Sequence, residues 1–391
     1  MNKWWWIVAA VVVGHFGLHL TLYNRLNALG LTRCRIKQAE VFLLLSCLMI
    51  PPLAAWRFRD ILSAAFAGSL NVREVPDLLW YYGSLCLLAW PLLGIAWLAT
   101  RPIFGFQRIS LKSECELVDV AKEVAAPLAM TPKCRWASRI PGNEIFRLAI
   151  EEKQLPVWGL PSELDGFRIA HLSDVHLTGH IATDFFAYIV QRTNAWQPDL
   201  IALTGDIIDK PECIAWLSDC FADANAPAGC FSILGNHDTQ VADPSQIREM
   251  MQQIGWQDLG GRTMRHDLRG VPVTLIGNEQ PWFPGPANVP DGEPADSLRI
   301  ALCHSPDQIG WARRQGIELM LAGHTHGGQG RLPLAGPLLS PSLYGSRFAS
   351  GEFYLAPTTM HVSRGLSGKH LLRLRCPPEL SLLVLRCPPE K

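Results

Sequence analysis

Charge is missing altogether from long runs in the first hundred residues, and nothing constrains this chain more. Between Lys3 and Arg25 lie 21 uncharged residues, opening on Trp4-Trp5-Trp6, and between Asp77 and Arg101 lie 23 more, rich in Leu and Trp. At about 1.5 Å per residue, a helix of either length crosses a hydrocarbon core of about 30 Å. A third run, Val41 to Trp56, has 16 residues and carries Pro51-Pro52, so it either crosses or only dips in. Aromatic residues gather at the ends of these runs (Trp4 to Trp6, Tyr23, Trp56, Trp80 to Tyr82), where amphipathic rings favour the headgroup layer. A cleaved signal peptide is the alternative for the first run; against it, the run is long and no small-x-small site follows directly. Residues 1–101 are expected to form a helical transmembrane region of two or three spans.

Sidedness depends on the middle run. With three spans, Lys3, Arg57, Arg59 and Arg73 face one side, and Arg25, Arg33, Arg35, Lys37, Arg101, Arg108 and Lys112 face the other. The richer side is expected in the cytoplasm, and the rest of the chain with it; two spans reverse the count. The chain has eleven cysteines with no CxxC pair, and those beyond residue 200 sit mostly among apolar neighbours, as reduced thiols do. That favours three spans. His15 and His19, four apart in the first run, share a helical face. With no acidic partner in the spans, they are expected to be neutral and hydrogen-bonded.

Formal net charge is zero and the pI is near 7.2, so no basic surface points to nucleic acid. Nothing in the sequence identifies a protein partner. Residues 102–142 mix charge, proline and small residues and read as a juxtamembrane linker with one helix near Cys115 to Ala126. Residues 143–391 read as one folded domain. The pentapeptide Arg-Cys-Pro-Pro-Glu occurs at 375–379 and 386–390, flanking an apolar run, Leu380 to Leu385, that reads as a last strand.

In that domain five apolar, strand-like runs each stop at a polar or glycine-containing turn. Phe167–Leu172 leads into Asp174-Val175-His176, Asp199–Thr204 into Gly205-Asp206-Ile207-Ile208-Asp209, and Cys230–Leu234 into Gly235-Asn236-His237-Asp238. Leu298–Cys303 leads into His304, and Ile317–Ala322 into Gly323-His324-Thr325-His326. Helical patterns lie between several of them (Asp184 to Trp196, Glu212 to Phe221, Pro244 to Ile254), which implies an α/β domain. Ligand sites in such folds gather at the carboxyl ends of strands. In extended backbone, residues two apart project to one face, so Asp174 with His176, and His324 with His326, are each expected to converge. Carboxylate, imidazole and amide oxygen together suit divalent ions such as Mn²⁺, Fe²⁺ or Zn²⁺. One such turn alone is a hydrogen-bonded turn; five in one domain imply a shared cation, because clustered imidazoles and carboxylates are otherwise costly.

The five motifs, in this order, resemble the calcineurin-like metallophosphoesterase superfamily over roughly residues 143–391. Gly323 to Gln329, Arg331-Leu332-Pro333, His361-Val362-Ser363-Arg364-Gly365 and the Cys-Pro-Pro-Glu end are similar to its membrane-anchored bacterial branch, which includes phosphodiesterases and UDP-2,3-diacylglucosamine hydrolases. Leu366 to His370 depart from that branch, where another small residue and a Pro-Arg-Leu-like segment are usual.

The resemblance implies a sandwich of two mixed β-sheets flanked by helices, and a pair of divalent ions, manganese foremost, with iron or zinc as alternatives. Asp174, His176 and His326 would hold the first ion, Asn236, His304 and His324 the second, and Asp206 would bridge them. A metal-bridging hydroxide would attack phosphorus. His237, which in extended backbone points away from the ligands, would serve the leaving oxygen as the catalytic residue, with Asp209 or Asp238 orienting its ring. The implied substrate is a phosphodiester or pyrophosphate, lipid-linked and held at the membrane, with UDP-2,3-diacylglucosamine as a specific case. The loop Pro281 to Pro286 either presents apolar surface to acyl chains or packs on its own domain. A non-catalytic metal-binding scaffold and a transporter or receptor are the competing classes. The first usually has broken motifs, and the second needs paired polar residues in the spans.

Overall fold

The computed structural model describes residues 3–100, 109–286, 297–333 and 336–388. Helices come first: α1 (Lys3–Leu26), α2 (Arg33–Arg57), α3 (Arg59–Ala67) and α4 (Asp77–Ala99). By length and composition α1, α2 and α4 can each cross a membrane. The middle run is long enough to cross rather than only dip. It is extended by Arg33 to Glu40 into a 25-residue helix continuous through Pro51 and Pro52. Phe42, Trp56, Leu78 and Tyr81 each stay at least 70% exposed, an apolar belt of the kind lipid covers. Arg101 and Arg108, used above to count charge, lie outside the described residues.

Polar side chains tie the three long helices together. On α1, His15 Nδ1 lies 2.6 Å from the Tyr82 hydroxyl of α4, and its Nε2 lies 2.9 Å from the Cys47 carbonyl of α2. His19 Nδ1 is 2.9 Å from the His15 carbonyl and Nε2 is 3.0 Å from Ser46 Oγ. The two histidines are hydrogen-bonded at every ring nitrogen.

Beyond the helices the chain alternates. β1 (Lys112–Asp119) is followed by the one-turn α5 (Val120–Glu123), then α6 (Pro132–Ala137) and β2 (Arg147–Pro156). Next come β3 (Arg168–Leu172), α7 (Thr183–Trp196), β4 (Leu200–Thr204), α8 (Trp216–Phe221), β5 (Cys230–Ile233), α9 (Ser245–Gln253) and β6 (Gln257–Asp258). The second half holds β7 (Thr263–Leu268), β8 (Val271–Asn278), β9 (Leu298–Cys303), α10 (Ile309–Arg314), β10 (Leu319–Ala322), β11 (Arg331–Leu332), β12 (Gly336–Pro337), β13 (Gly351–Leu355), β14 (Thr358–Val362) and β15 (Glu379–Arg386). One sheet runs β1-β2-β15-β3-β4-β5-β6 and the other β13-β14-β10-β9-β8-β7, both mixed in direction. β15 inserts between β2 and β3, so the last strand read from sequence closes the middle of the first sheet rather than its edge. The second copy of the pentapeptide ends beyond the described residues.

Side chains alternate across the strands. Leu200 and Ala202 of β4 face the other sheet and join Phe231, Leu275, Ile300 and Leu321 in the inter-sheet core. Ile201 and Leu203 face outward, against Phe185, Phe186, Ile189 and Phe221 of the helical layer. Ile309 and Ala312 of α10 cover the far face of the second sheet over Met320 and Met360. Both sheets thus point β3, β4, β5, β9 and β10 toward one crevice.

The segment 102–142 departs from the linker reading. Lys112–Asp119 pairs antiparallel with β2 residue for residue, Lys112 against Gln154 and Asp119 against Arg147. Val118, Val120, Leu128, Cys134 and Ala137 are buried in the helical-layer core. The helix expected near Cys115 to Ala126 is a strand and a single turn, because β2 offers an unpaired edge. Residues 102–108 lie outside the described residues.

Candidate metal centre

Each motif sits where its strand stops, and in three of the five the backbone there is left-handed. Asp174 (φ 52°), His176 (φ 48°), Asp206 (φ 54°), His324 (φ 70°) and His326 (φ 50°) all have positive φ. This corrects the extended geometry expected from spacing. The paired residues converge because left-handed positions at alternate residues curl the chain into the crevice. Such conformations cost about 1–3 kcal/mol each, and Asp and His tolerate them better than most residues. Glycine is required beside them: a Cβ on Gly323 would collide with Ser173 and Asp174, and one on Gly235 with Asp206 and His304.

Two groups of side chains result. In the first, Asp174, His176, Asp206 and His326 bring their ligand atoms within 4.8 Å of one another. His176 Nε2 is 3.2 Å from His326 Nε2 and 3.5 Å from Asp206 Oδ2. In the second, Asp206, His304 and His324 do the same. His304 Nε2 lies 3.3 Å from Asp206 Oδ1 and 3.0 Å from Asn236 Oδ1. Asp206 belongs to both groups, one carboxylate oxygen toward each. All seven residues expected to be ligands are brought together.

The donor set fits a pair of divalent ions. His176 Nδ1 donates to Asp209 Oδ2 at 2.8 Å, and His304 Nδ1 donates to the Thr204 carbonyl at 2.7 Å, so both Nε2 lone pairs face inward. Asp206 Oδ2, His324 Nε2 and His326 Nδ1 are buried with no hydrogen-bond partner among the described residues. Burial disfavours charge on His176, but Asp209, Asp206 and Asp174 outweigh it and push the imidazole up to about 9. His304 is likewise pushed to about 9 against burial, chiefly by Asp206. Burial, then the neighbouring cationic histidines, hold His324 and His326 well below the ordinary range. A cluster of this kind takes up cations, protons or metal, at His176 and His304.

His237 does not point away, as extended backbone would have it. Its backbone is helical (φ −74°, ψ −30°), and its ring stands 4.5 Å from that of His176. Its Nδ1 contacts Asp209 Oδ1, so Asp209 holds His176 and His237 at once. Of the two carboxylates left open for this task, Asp209 faces His237. Asp238 accepts the backbone N–H groups of Ile207, Ile208 and Gly235 at 3.0, 2.8 and 2.7 Å and pins the two turns together.

A third arrangement escaped sequence reasoning. Lys153, at the floor of the inter-sheet gap, contacts Glu151, Glu379 and Glu352 at 2.7–2.9 Å. Its ammonium is 3.4 Å from His361 Nε2, and His361 Nδ1 is 2.9 Å from His171 Nδ1. His171 Nε2 is 2.9 Å from Thr204 Oγ1, which donates to Ser173 Oγ at 2.8 Å, which donates to Asp174 Oδ2 at 2.6 Å. An ammonium only donates. Every proton in the chain then points the same way, from Lys153 to Asp174. The signal was present: His171 interrupts the buried apolar run of β3, and Glu379 opens the largely apolar run of β15.

The loop Pro281–Pro286 packs on its own domain. The Trp282 ring stands 4.8 Å from that of His324 and 5.4 Å from that of His304. Phe283 packs against the helical-layer core under Arg248.

Residues 167–328 match the family profile described as calcineurin-like phosphoesterase. A Bacillus subtilis protein named as an uncharacterized metallophosphoesterase, YkuE, is 30% identical over 236 residues, covering 57% of this chain and 80% of that one. The Escherichia coli phosphodiesterase YaeI is 29% identical over 221 residues, 56% of this chain and 81% of that one. The UDP-2,3-diacylglucosamine pyrophosphatase LpxG of Chlamydia muridarum is 26% identical over 312 residues, 63% of this chain and 91% of that one.

Proposed function

This chain belongs to the calcineurin-like metallophosphoesterases, hydrolases of phosphoric ester bonds, and we propose that its crevice binds two divalent ions and hydrolyses a phosphodiester or pyrophosphate at a membrane. The observation that carries the reading is Asp206, buried and shared by both donor groups with one oxygen unpartnered. Asp174, His176 and His326 would hold the first ion, Asn236, His304 and His324 the second, and Asp206 both. Mn²⁺ is the first ion to test, since oxygen and imidazole donors suit it. When bound, such a pair supplies Lewis acidity and water of lowered pKa.

The chain's own residues do the rest. Asp209 keeps the His237 proton on Nδ1 and leaves Nε2 toward the crevice, where as imidazolium it gives a proton to the departing oxygen. Water's oxygen ends on phosphorus, the phosphorus–oxygen bond to the leaving group breaks, and that group departs protonated. Asp209 also keeps the His176 lone pair inward, and the Lys153-to-Ser173 chain occupies Asp174 Oδ2, which leaves Oδ1 as the oxygen that would meet an ion. Trp282 covers His304 and His324 from one side and limits water there.

The substrate we favour is lipid-linked, because three membrane-length helices precede the enzyme. A second, narrower reading is a UDP-2,3-diacylglucosamine pyrophosphatase, supported by the 91% coverage of LpxG. The purified protein is tested with Mn²⁺ on bis(4-nitrophenyl) phosphate, with bound metal measured in parallel. Turnover that disappears in Asp206→Ala supports the enzyme. Metal binding without turnover, in the parent protein, leaves the scaffold class instead.

A further inference from the structure

The metal centre is joined directly to the membrane helices. At the end of α1, Asn24 is buried and donates to the Leu338 carbonyl at 2.9 Å, while its side-chain oxygen accepts from Ser340 N at 2.9 Å. Arg25 Nε donates to the Leu343 carbonyl at 3.2 Å. The same loop reaches the His304 turn, since Ser342 Oγ donates to Asp307 Oδ1 at 2.6 Å. In the turn between α1 and α2, Gly30 lies so close to Pro281 that a Cβ would come within 2.8 Å of its carbonyl oxygen. The next residue, Trp282, meets the His304 ring edge-on and the His324 ring at a tilt. The turn that closes the first membrane hairpin therefore sits one residue's width from the metal ligands.

Two kinds of surface meet at this junction. Leu29 and Leu31 of the turn, with Leu339 and Leu343 of the facing loop, are 40–50% exposed although they adjoin a polar crevice. Beside them are unpaired cations. Arg33 and Lys37 begin α2, where no acidic residue stands in the first turn and Thr32 supplies no side-chain cap. Cations at a helix N-terminus oppose the helix dipole, and an anion bound there would offset that cost. Lys369 lies within electrostatic reach of both on one side and of Asp209 on the other. Glu40 is the acid of α2 in reach, and none of the three cations forms an ion pair among the described residues. Lys369 follows Gly368, whose added Cβ would stand 3.7 Å from His326 Nδ1. The cations thus run from the membrane side to the first donor group.

We propose that the substrate is an amphiphile that reaches the metal centre from the bilayer surface, its chains staying with the membrane helices and a second anionic group of its headgroup binding to Arg33, Lys37 and Lys369. The inference rests on the hydrolase reading above and adds a route and a subsite to it. A soluble phosphodiester has no use for the apolar rim, and a neutral lipid has none for three unpaired cations beside a site for phosphate. The occupant that matches both is a lipid with two neighbouring phosphate charges, such as a lipid pyrophosphate or a nucleotide-linked lipid.

The full-length protein in mixed micelles with Mn²⁺ is assayed on CDP-diacylglycerol, on UDP-glucose as the same linkage without chains, and on bis(4-nitrophenyl) phosphate. The expected result is a kcat/KM for CDP-diacylglycerol at least about tenfold above that for UDP-glucose. In R33Q/K37Q/K369Q, KM for CDP-diacylglycerol should rise about tenfold with kcat held within about twofold, and rising salt should reproduce part of that rise in the parent protein. If the triple variant elutes as aggregate, R33Q and K369Q are measured singly. An unchanged KM overturns the proposal, as does an equal rise for UDP-glucose, which would make the cations a nucleotide site indifferent to the membrane. Hydrolysis of the aryl diester with neither pyrophosphate cleaved overturns it while leaving the hydrolase standing. No hydrolysis of any of the three substrates counts against the hydrolase reading itself.

Discussion

Asp209 supports two imidazoles with opposite tasks. It is buried, yet its contacts with His176 and His237 outweigh burial and hold its carboxyl well below the usual carboxylate range. His237→Ala should keep its metal content and lose turnover by about 10²-fold or more, measured as kcat per bound metal. Asp209→Asn should lose both, because His176 loses its orientation along with His237; ion affinity should fall about 10- to 100-fold. Farther from the ions, burial pushes His171 down to about 3. Its unfolded value is near 6.5, so the unfolded chain binds the extra proton between those limits. The stabilising difference is complete above about pH 6.5 and is lost as pH falls toward 3. His171→Asn should therefore flatten the acid side of a melting-temperature profile between pH 6.5 and 4. A slope identical to the parent's would assign acid sensitivity elsewhere.

At the scale of elements, β1 shows why the boundary at 143 needs revision. Its strand carries Lys112, Glu114 and Glu116 outward with few apolar residues, so hydrophobic periodicity had little to detect. What holds it is the free edge of β2 and the burial of Val118, Val120, Leu128 and Cys134. Each such side chain contributes about 1.5–3 kcal/mol on burial. We propose that the catalytic unit starts near Ile109. A chain begun at residue 109 should be soluble and hydrolyse bis(4-nitrophenyl) phosphate, while one begun at 143 should aggregate. Equal solubility of the two would restore the linker. The membrane helices have their own fastening in His15 and His19. Interhelical hydrogen bonds in bilayers contribute about 0.6–2 kcal/mol each, so His15→Leu should loosen the hairpin against α4 and lower the detergent melting temperature.

Across the whole molecule, the contacts of Asn24 and Arg25 put the α1–α2 turn and the catalytic domain on one side of the helices. Arg25, Arg33, Arg35 and Lys37 share that side, and we propose that it is cytoplasmic. Cys34, exposed beside Arg33, reports on this. As the single cysteine in intact cells, it should resist a membrane-impermeant maleimide until the membrane is opened. Labelling without permeabilisation would place the site outside. All eleven cysteines are free thiols, so the other ten must be replaced for this labelling.

Hydrophobic runs and strand-end motifs, both local in the chain, were enough to read a helical membrane region of two or three spans and an α/β domain, and the resemblance those motifs carry implied the two-sheet sandwich and the seven candidate ligands. Local patterns reveal these because burial acts on periodicity and a metal acts on residue type. Three other features depended on where distant segments meet. They are the left-handed curl that aims the ligands, the assignment of Asp209 rather than Asp238 to His237, and the proton-ordered chain from Lys153 to Asp174. None follows from spacing, because each is decided by which atoms lie within 3 Å once both sheets have closed. The packing of Gly30 on Pro281 is of the same kind: a contact between a membrane turn and a catalytic loop 251 positions apart, which only the folded chain can bring about.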